Sequence, residues 1–331
     1  MASLHEVAAR ANVSIATVSR VLNKSDKVVP ATRARVEQAL RDLNYRPSRV
    51  ARRLRMKDGR AHLVGLIIPD IQNPFYAEIA RGVEDAAYAS EYALLLCNSD
   101  ENPDKERFYL DVMRAESVDG IILPPFDDTD VAVIETVKTG MPVVCVDRSL
   151  ANLKTDLVEV DNYQGAIKAV NHLIDRGHTG IALIEGRTGV STSRERRRGY
   201  LDALATRGIA PRTEFMRAGD FKQESGHVLT RELLALPEPP TALFVCNNLM
   251  TVGALAALHH AGRRVPQELG LVGFDDLPWA EALDPPPTVV RQPAYEVGRQ
   301  AMELLLKRIT DPQRPPVTVR LQPELVVRRS T

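Results

Sequence analysis

The sequence predicts an α/β protein in which a three-helix N-terminal head and a short basic connector precede a two-lobed body of parallel sheets with flanking helices. Three observations predict it. From residue 61 onward, apolar runs of strand length alternate with helical stretches, the pattern of parallel strands joined by crossover helices. The first 45 residues lack such runs and instead place apolar residues at helical intervals. Charge divides at the same place: the formal net charge is zero, but residues 1–60 hold 14 Lys+Arg against 5 Asp+Glu, leaving 29 against 38 in the rest. At 331 residues and 44% hydrophobic content, the chain can bury the cores of two or three compact units.

In the head, Ser3 followed by Glu6 has capping-box spacing, and Leu4, Val7, Ala8 and Ala11 form a helical stripe over roughly residues 4–11. After a turn at Asn12 and Val13, Ser14 can cap a second helix whose inward stripe is Val18, Val21 and Leu22. Its outward face then carries Ile15, Ala16, Ser19 and Arg20. A third helix begins after Pro30 and uses Val36, Ala39, Leu40 and Leu43. Two short helices joined by a tight turn and braced by a third make a helix-turn-helix unit. A basic head on an acidic body suits a module that meets polyanions joined to one that does not.

Residues 46–60 hold seven basic side chains and one acid, with Pro47 placed to start a short helix that has Val50, Ala51 and Leu54 on one face. So few residues make a marginal helix alone, and a plain charged linker is the competing reading. In the body the apolar runs are LVGLII, ALLLC, GIILPP, MPVVCV, GIALI, TALFV and GLVGF. Their continuity predicts sheets covered on both faces. They fall into two series that part near Asp161 and Asn162, predicting two similar lobes.

The run VAARANVSIATVSRVLN, continued by TRARVEQALRDLNYRPSRVARRLR, resembles the DNA-binding head of the LacI/GalR repressor family. The phrases VGLIIPDIQNPFYAEIARGVEDAA, SVDGIILPP, PVVCVDR, RERRRGYLDAL, TALFVCNN, GLVGFDDLPWA and PPPTVVRQPAYEVGRQA resemble that family's sensor core, which shares the fold of type I periplasmic sugar-binding proteins. The resemblance implies a helix-turn-helix domain at 1–46, a hinge helix or linker at 47–60, and an effector-binding and dimerisation core at 61–331. Within the core it implies one lobe of about 61–161 and 293–321, and a second of about 162–292 and 322–331.

It also implies roles. The second helix enters the major groove of double-stranded DNA, where Ile15, Ala16 and Arg20 read base edges. Only Arg20 offers a fork matching the acceptors of guanine. Ser14, Thr17, Ser19 and Asn23 have short donors suited to phosphate oxygens. At the hinge, Leu54 is the minor-groove wedge, beside Ala51 and flanked by Arg49, Arg52, Arg53 and Arg55. In the body the ligand lies in the cleft at the carboxyl ends of the strands. Asp147, Asn247 and Asp275 follow strands, Arg196 precedes Gly199 in an R-x-x-G pattern with a fork able to hold two ligand oxygens, and Phe75, Phe221 and Trp279 stand where an aromatic face can cover a ring. Two departures matter. The family has Asn-Asp where this chain has Asn247 and Asn248, which removes a carboxylate from the local polar network. Val190 stands where purine repressors have a base-binding arginine, so a sugar or polyol is favoured over a purine or nucleoside.

The function that follows is a sequence-specific transcriptional regulator, a repressor on a pseudo-palindromic operator, switched by a small molecule. Rival classes have less support. No G-x-G-x-x-G after the first strand, P-loop, G-x-S-x-G elbow or H-E-x-x-H is present, so no enzyme and no cofactor is predicted. Cys97, Cys145 and Cys246 are widely spaced, and His259 with His260 reads as a helix-surface pair, so no metal site is predicted. A transport-type solute-binding protein would share the body, but the start MASLHEVAAR lacks a signal-peptide core and no apolar run approaches the ~20 residues of a membrane span. A cytoplasmic home is expected. A dimer is expected too, since no heptad tail follows LQPELVVRR.

Overall fold

The computed structural model describes residues 2–22, 27–45 and 60–331, which fall into two compact units, Met1–His62 and Leu63–Thr331. In the first, α1 (Leu4–Ala11) is closed at its start by a reciprocal capping box: Ser3 Oγ accepts from the Glu6 N–H, and Glu6 Oε2 accepts from the Ser3 N–H at 2.6 Å. Asn12 ends it in the left-handed region at φ 50°. The second helix, α2 (Ile15–Leu22), is capped by Ser14, whose Oγ accepts the Thr17 N–H at 3.2 Å. Pro30 supplies the first residue of α3 (Pro30–Asp42), where a missing N–H is harmless. The core is built from Val7, Ala8, Ala11, Val18, Val21, Val36 and Ala39, small residues that let three short helices approach closely. Arg10 ties α1 to α3 through Asp42 at 3.2 Å.

The second unit contains strands β1 (Leu63–Ile68), β2 (Ala93–Asn98), β3 (Gly120–Leu123), β4 (Val143–Val146), β5 (Asp156–Val160), β6 (Ile181–Glu185), β7 (Met216–Ala218), β8 (Ala242–Val245), β9 (Gly270–Phe274), β10 (Thr288–Arg291), β11 (Thr318–Leu321) and β12 (Glu324–Val326). The helices are α4 (Pro74–Ala89), α5 (Pro103–Ala115), α6 (Val131–Lys138), α7 (Asn162–Asp175), α8 (Ser191–Thr206), α9 (Gln223–Leu234), α10 (Asn248–His260) and α11 (Ala294–Thr310). The strands form two six-stranded sheets, ordered β11-β5-β4-β3-β1-β2 and β12-β10-β9-β8-β6-β7. In each, the first strand of the series (β1, β6) pairs on both sides, so successive connections leave in opposite directions and open a crevice at the strands' carboxyl ends.

The chain passes between the sheets three times: between β5 and α7, between β10 and α11, and between β11 and β12. Each lobe has its own core. One gathers Leu66, Ile68, Ile79, Val83, Ile122, Val146 and Val297, the other Leu183, Tyr200, Leu204, Phe244, Val272 and Phe274. In the first, α4 and α11 touch backbone to backbone, because a Cβ at either Gly82 or Gly298 would collide with a carbonyl oxygen of the facing helix.

Two expectations need correction. The run ALLLC is not covered on both faces: β2 is the edge strand of its sheet, is only half buried, and leaves Leu96 40% exposed. The second sheet is not wholly parallel, since β12 runs antiparallel to β10. That reversal follows from the two-residue link between β11 and β12, which is too short for a crossover helix. Asn23 and the hinge residues Arg49, Ala51, Arg52, Leu54 and Arg55 lie outside the described residues.

Candidate functional site

The outward face of α2 presents Ile15, Ala16 and Arg20 to solvent, while Val18 and Val21 anchor the opposite face in the core. Ile15 is 40% exposed. Ser14 and Thr17 stand together at the start of the helix with their hydroxyl oxygens 3.0 Å apart, and Ser19 is partly exposed.

In the body, Asp147 and Asp275 occupy matching places, each just beyond the fourth strand of its series. Both have left-handed backbones, φ 62° and 70°, and each donates its N–H to the neighbouring strand, to Val158 and Val290. Such conformations are strained for residues with a side chain and persist where the surroundings enforce them. Phe221, at φ 69°, shares the feature. A Cβ at Gly186 would overlap the Phe221 ring, so that glycine makes room for it.

Tyr76 donates its hydroxyl to Asp147 Oδ2 at 3.0 Å, while Asp147 Oδ1 is buried and has no hydrogen-bond partner. Burial pushes the Asp147 carboxyl up, against the pull of the Arg148 and Arg196 guanidinium groups. Gln292 donates to Asp275 Oδ1, and burial pushes this carboxyl up to about 6 despite Arg196 nearby. The Arg196 fork is not wholly available to a ligand. Its Nε donates to Asn162 Oδ1 at 2.7 Å and its Nη1 to the Cys246 carbonyl, with the guanidinium 3.8 Å from the Phe274 ring centroid. Nη2 takes part in neither bond, so the expected two-pronged grip reduces to one edge.

Asp147, Arg196, Phe75, Phe221, Asn247 and Asp275 all line one cavity of about 30 Å³, room for a water or two. Trp279 does not: it is 50% exposed, on the loop after β9, and lies outside that lining. Asp70, Asn73, Tyr76, Glu101, Arg148, Thr192 and Lys222 complete the wall, and sequence reasoning missed them. Asp70 was within reach of the strand-end argument, since it lies two residues beyond β1. Arg148 is held by both oxygens of Glu101 at 3.1 and 2.5 Å. Burial raises the Glu101 carboxyl, but Arg148 and Arg187 outweigh it and hold it below the ordinary range. A wider pocket of about 450 Å³ adjoins, sharing Phe75 and Asp275 and floored by Pro74, Pro278 and Tyr295. Its size is that of a small-molecule site.

The lobes touch at several points across the cleft. Lys222 reaches Asp70 at 2.7 Å, and Asn248 Nδ2 donates to Asn73 Oδ1 at 2.9 Å. Arg187 reaches Glu101 at 3.3 Å, Arg194 pairs with Asp128, and the Ser149 N–H donates to Ser191 Oγ at 3.1 Å. Asn247 is spent on structure, accepting the Met250 N–H at 2.9 Å as the cap of α10 and donating to the Phe221 carbonyl at 2.9 Å. Val190 is buried at the start of α8, outside the cavity wall. His260 lies 3.3 Å from His227, and no cluster of three metal-ligating side chains occurs among the described residues. None of their helices is long and apolar enough to cross a membrane.

Comparison with known proteins finds matches in both units of the chain. A model described as bacterial regulatory proteins, lacI family, matches residues 3–48, and one described as a periplasmic binding protein-like domain matches residues 170–331. The HTH-type transcriptional repressor PurR of Photobacterium profundum is 35% identical over 100% of this chain and 98% of its own. Among solved structures, the transcriptional regulator CelR–cellobiose complex is 35% identical, with a TM-score of 0.75 over 100% of both chains. The Lac repressor dimer bound to operator and the anti-inducer ONPF is 28% identical, with a TM-score of 0.88 over 99% of this chain and 98% of that one. These relatives are DNA-binding regulators rather than enzymes, and by its head, its body and its full-length likeness to them the chain belongs to the LacI family of transcriptional repressors.

Proposed function

We propose that the chain represses transcription from a pseudo-palindromic operator as a homodimer and is switched by a neutral, hydroxyl-rich small molecule, a sugar or polyol, bound between its lobes. The observation that carries the effector class is the unpartnered, buried Asp147 Oδ1, in a cavity lined also by Asp275, Arg196, Phe75 and Phe221. The cleft holds four carboxylates, Asp70, Glu101, Asp147 and Asp275, against three cations, and Arg148 and Lys222 are already paired with Glu101 and Asp70. Acceptors are thus in surplus, which favours a ligand rich in O–H donors and disfavours an anion. The cellobiose held by CelR is such a ligand. A nucleoside is the second reading, favoured by two aromatic rings, one from each lobe, in the cavity lining.

A thermal-shift screen of sugars, polyols and nucleosides separates the readings, because a ligand at 100 times its dissociation constant stabilises by about 2.7 kcal/mol. Arg196→Ala or Asp275→Ala should weaken the identified ligand by about 2–3 kcal/mol in calorimetric titration, with operator binding retained in its absence. Unaltered affinity in both variants removes these residues from the site. At the head, one recognition helix reads too few bases for specificity, so a two-fold dimer is required. Arg20→Ala should cost about 1–3 kcal/mol and relax preference at one base pair per half-site. A loss spread evenly over all sequences would reassign Arg20 to phosphate contact. Leu54→Ala should leave a straighter operator, and an unchanged bend angle would favour a plain linker.

A further inference from the structure

Two buried side chains from opposite lobes meet. Asn248, the first residue of α10, is fully buried, and its Nδ2 lies 2.9 Å from Oδ1 of Asn73, the residue that caps α4. Each amide is oriented by a second bond. Asn73 Oδ1 also accepts the Phe75 N–H at 3.0 Å, and Asn248 Oδ1 accepts the Leu249 N–H at 2.8 Å. Those flanking bonds decide which end of each amide faces the other: the carbonyl oxygen of Asn73 meets the amino group of Asn248. A carboxylate is therefore tolerated at one position and not at the other. At 73 it could accept both bonds, but at 248 it would oppose an acceptor that cannot turn away without uncapping α4.

We propose that Asn248 is a positioning residue for cleft closure: its amide clasps the first turn of α4, and with it Phe75, to the first turn of α10. Lys222 reinforces the clasp from a more exposed place, at 2.7 Å from Asp70 and 3.5 Å from Asp100. The Asn73–Asn248 contact joins a donor to an acceptor across the cleft, which a carboxylate at 248 could not do. It raises the closed fraction of the effector-free protein, so a ligand that binds the closed form loses less affinity to the opening equilibrium.

The test needs no effector. Hydrogen exchange of the full-length chain is followed in peptides spanning residues 70–80 and 246–256, together with the radius of gyration from solution scattering. Asn248→Asp should accelerate exchange in both peptides on the order of 10-fold and enlarge the radius. Asn73→Asp should leave both rates as they are or slow them, and the double variant should exchange faster than Asn248→Asp alone. Acceleration confined to the 246–256 peptide would mean a local role in α10 and would overturn the clasp, as would equal loosening by Asn73→Asp. If Asn248→Asp does not fold, Asn248→Ala, which removes the donor without adding charge, must still loosen both peptides. Native rates in that variant would sink the proposal.

Discussion

The two lobes repeat one strand order, but their interiors are polar in different ways. The N-terminal lobe buries acidic and basic side chains: Asp70, Glu106, Asp130, Asp147, Arg148 and Asp156 are all less than 10% exposed. Among the described residues of the C-terminal lobe only Arg196 and Asp275 are such, and the other buried polar groups are hydroxyls and amides such as Thr230, Asn248, Thr251, Thr288 and Ser330. The contrast is sharpest at the strand next to the last connection. Asp156 opens β5 and is held by Arg308 at 2.9 Å, Arg314 at 2.5 Å and the Val317 N–H at 2.9 Å. Its counterpart Thr288 opens β10, donates its N–H to Ser330 Oγ at 2.7 Å, and sets its own hydroxyl 3.0 Å from that of Thr331. The same topological need, fixing a late strand to the sheet's far edge, is met by ions in one lobe and by neutral hydrogen bonds in the other.

The largest predicted effect tests the ionic solution. Asp156→Ala strands two arginines that are 14% and 13% exposed, and should destabilise by about 3–5 kcal/mol, read from urea unfolding by circular dichroism. A loss below about 1 kcal/mol would mean that the arginines find water and that the triad does not hold β11. Trp279, the chain's single tryptophan, lies in the C-terminal lobe, so its fluorescence should report a later transition than circular dichroism if the lobes uncouple.

The cleft carboxylates give the next effect, and its sign can be worked out. Burial raises Asp275 from 3.8 to about 6, so the folded chain binds more protons than the unfolded chain between those values. Stability from this group therefore falls as pH rises from about 4 to about 6, and the penalty stays constant above that. A rise of that size corresponds to about 3 kcal/mol. Asp275→Asn, which keeps an acceptor for Gln292, should stabilise by up to about 3 kcal/mol at pH 7 and by nearly nothing near pH 4. Asp147→Asn should shift stability in the same direction, since burial raises that group too. A variant equally stabilised at both pH values would show that the gain comes from packing rather than from ionisation.

Much of this was legible in the chain. The seven apolar runs locate β1, β2, β3, β4, β6, β8 and β9, and helical periodicity with a capping box locates α1 to α3. Strand β5, DLVEV, escaped because Asp156 and Glu159 break its apolar character, and the partners that make the buried Asp156 tolerable lie 152 and 158 residues away. No local pattern reports such a pairing. The short strands β7, β11 and β12 are half exposed, so burial never wrote itself into their composition. In the cleft, residues at strand ends could be named from topology, but Asn73, Glu101 and Lys222 enter it from beyond the strand ends, and each meets a residue of the other lobe that is distant in sequence. Trp279 stands apart from the cavity for the opposite reason: its neighbour Asp275 lines it, and four residues of loop are enough to carry an aromatic ring out to 50% exposure.

The smallest effect tests the neutral solution. Thr288→Val keeps the shape of a fully buried side chain and removes only its hydroxyl, which accepts the Arg328 N–H at 3.0 Å and pairs with Thr331. The backbone bond to Ser330 Oγ survives, so β10 stays anchored, but the Arg328 N–H loses its acceptor. The Arg328 side chain retains Asp276 at 2.8 Å and Glu281 at 2.6 Å, which limits how far that segment can move to find water. One part-buried donor left without a partner, in a segment that is otherwise held, should cost about 1 kcal/mol in the Trp279 transition. A loss as large as that of Asp156→Ala would erase the distinction between the lobes, since it would show hydroxyl pairs at this junction to be as indispensable as the buried ions.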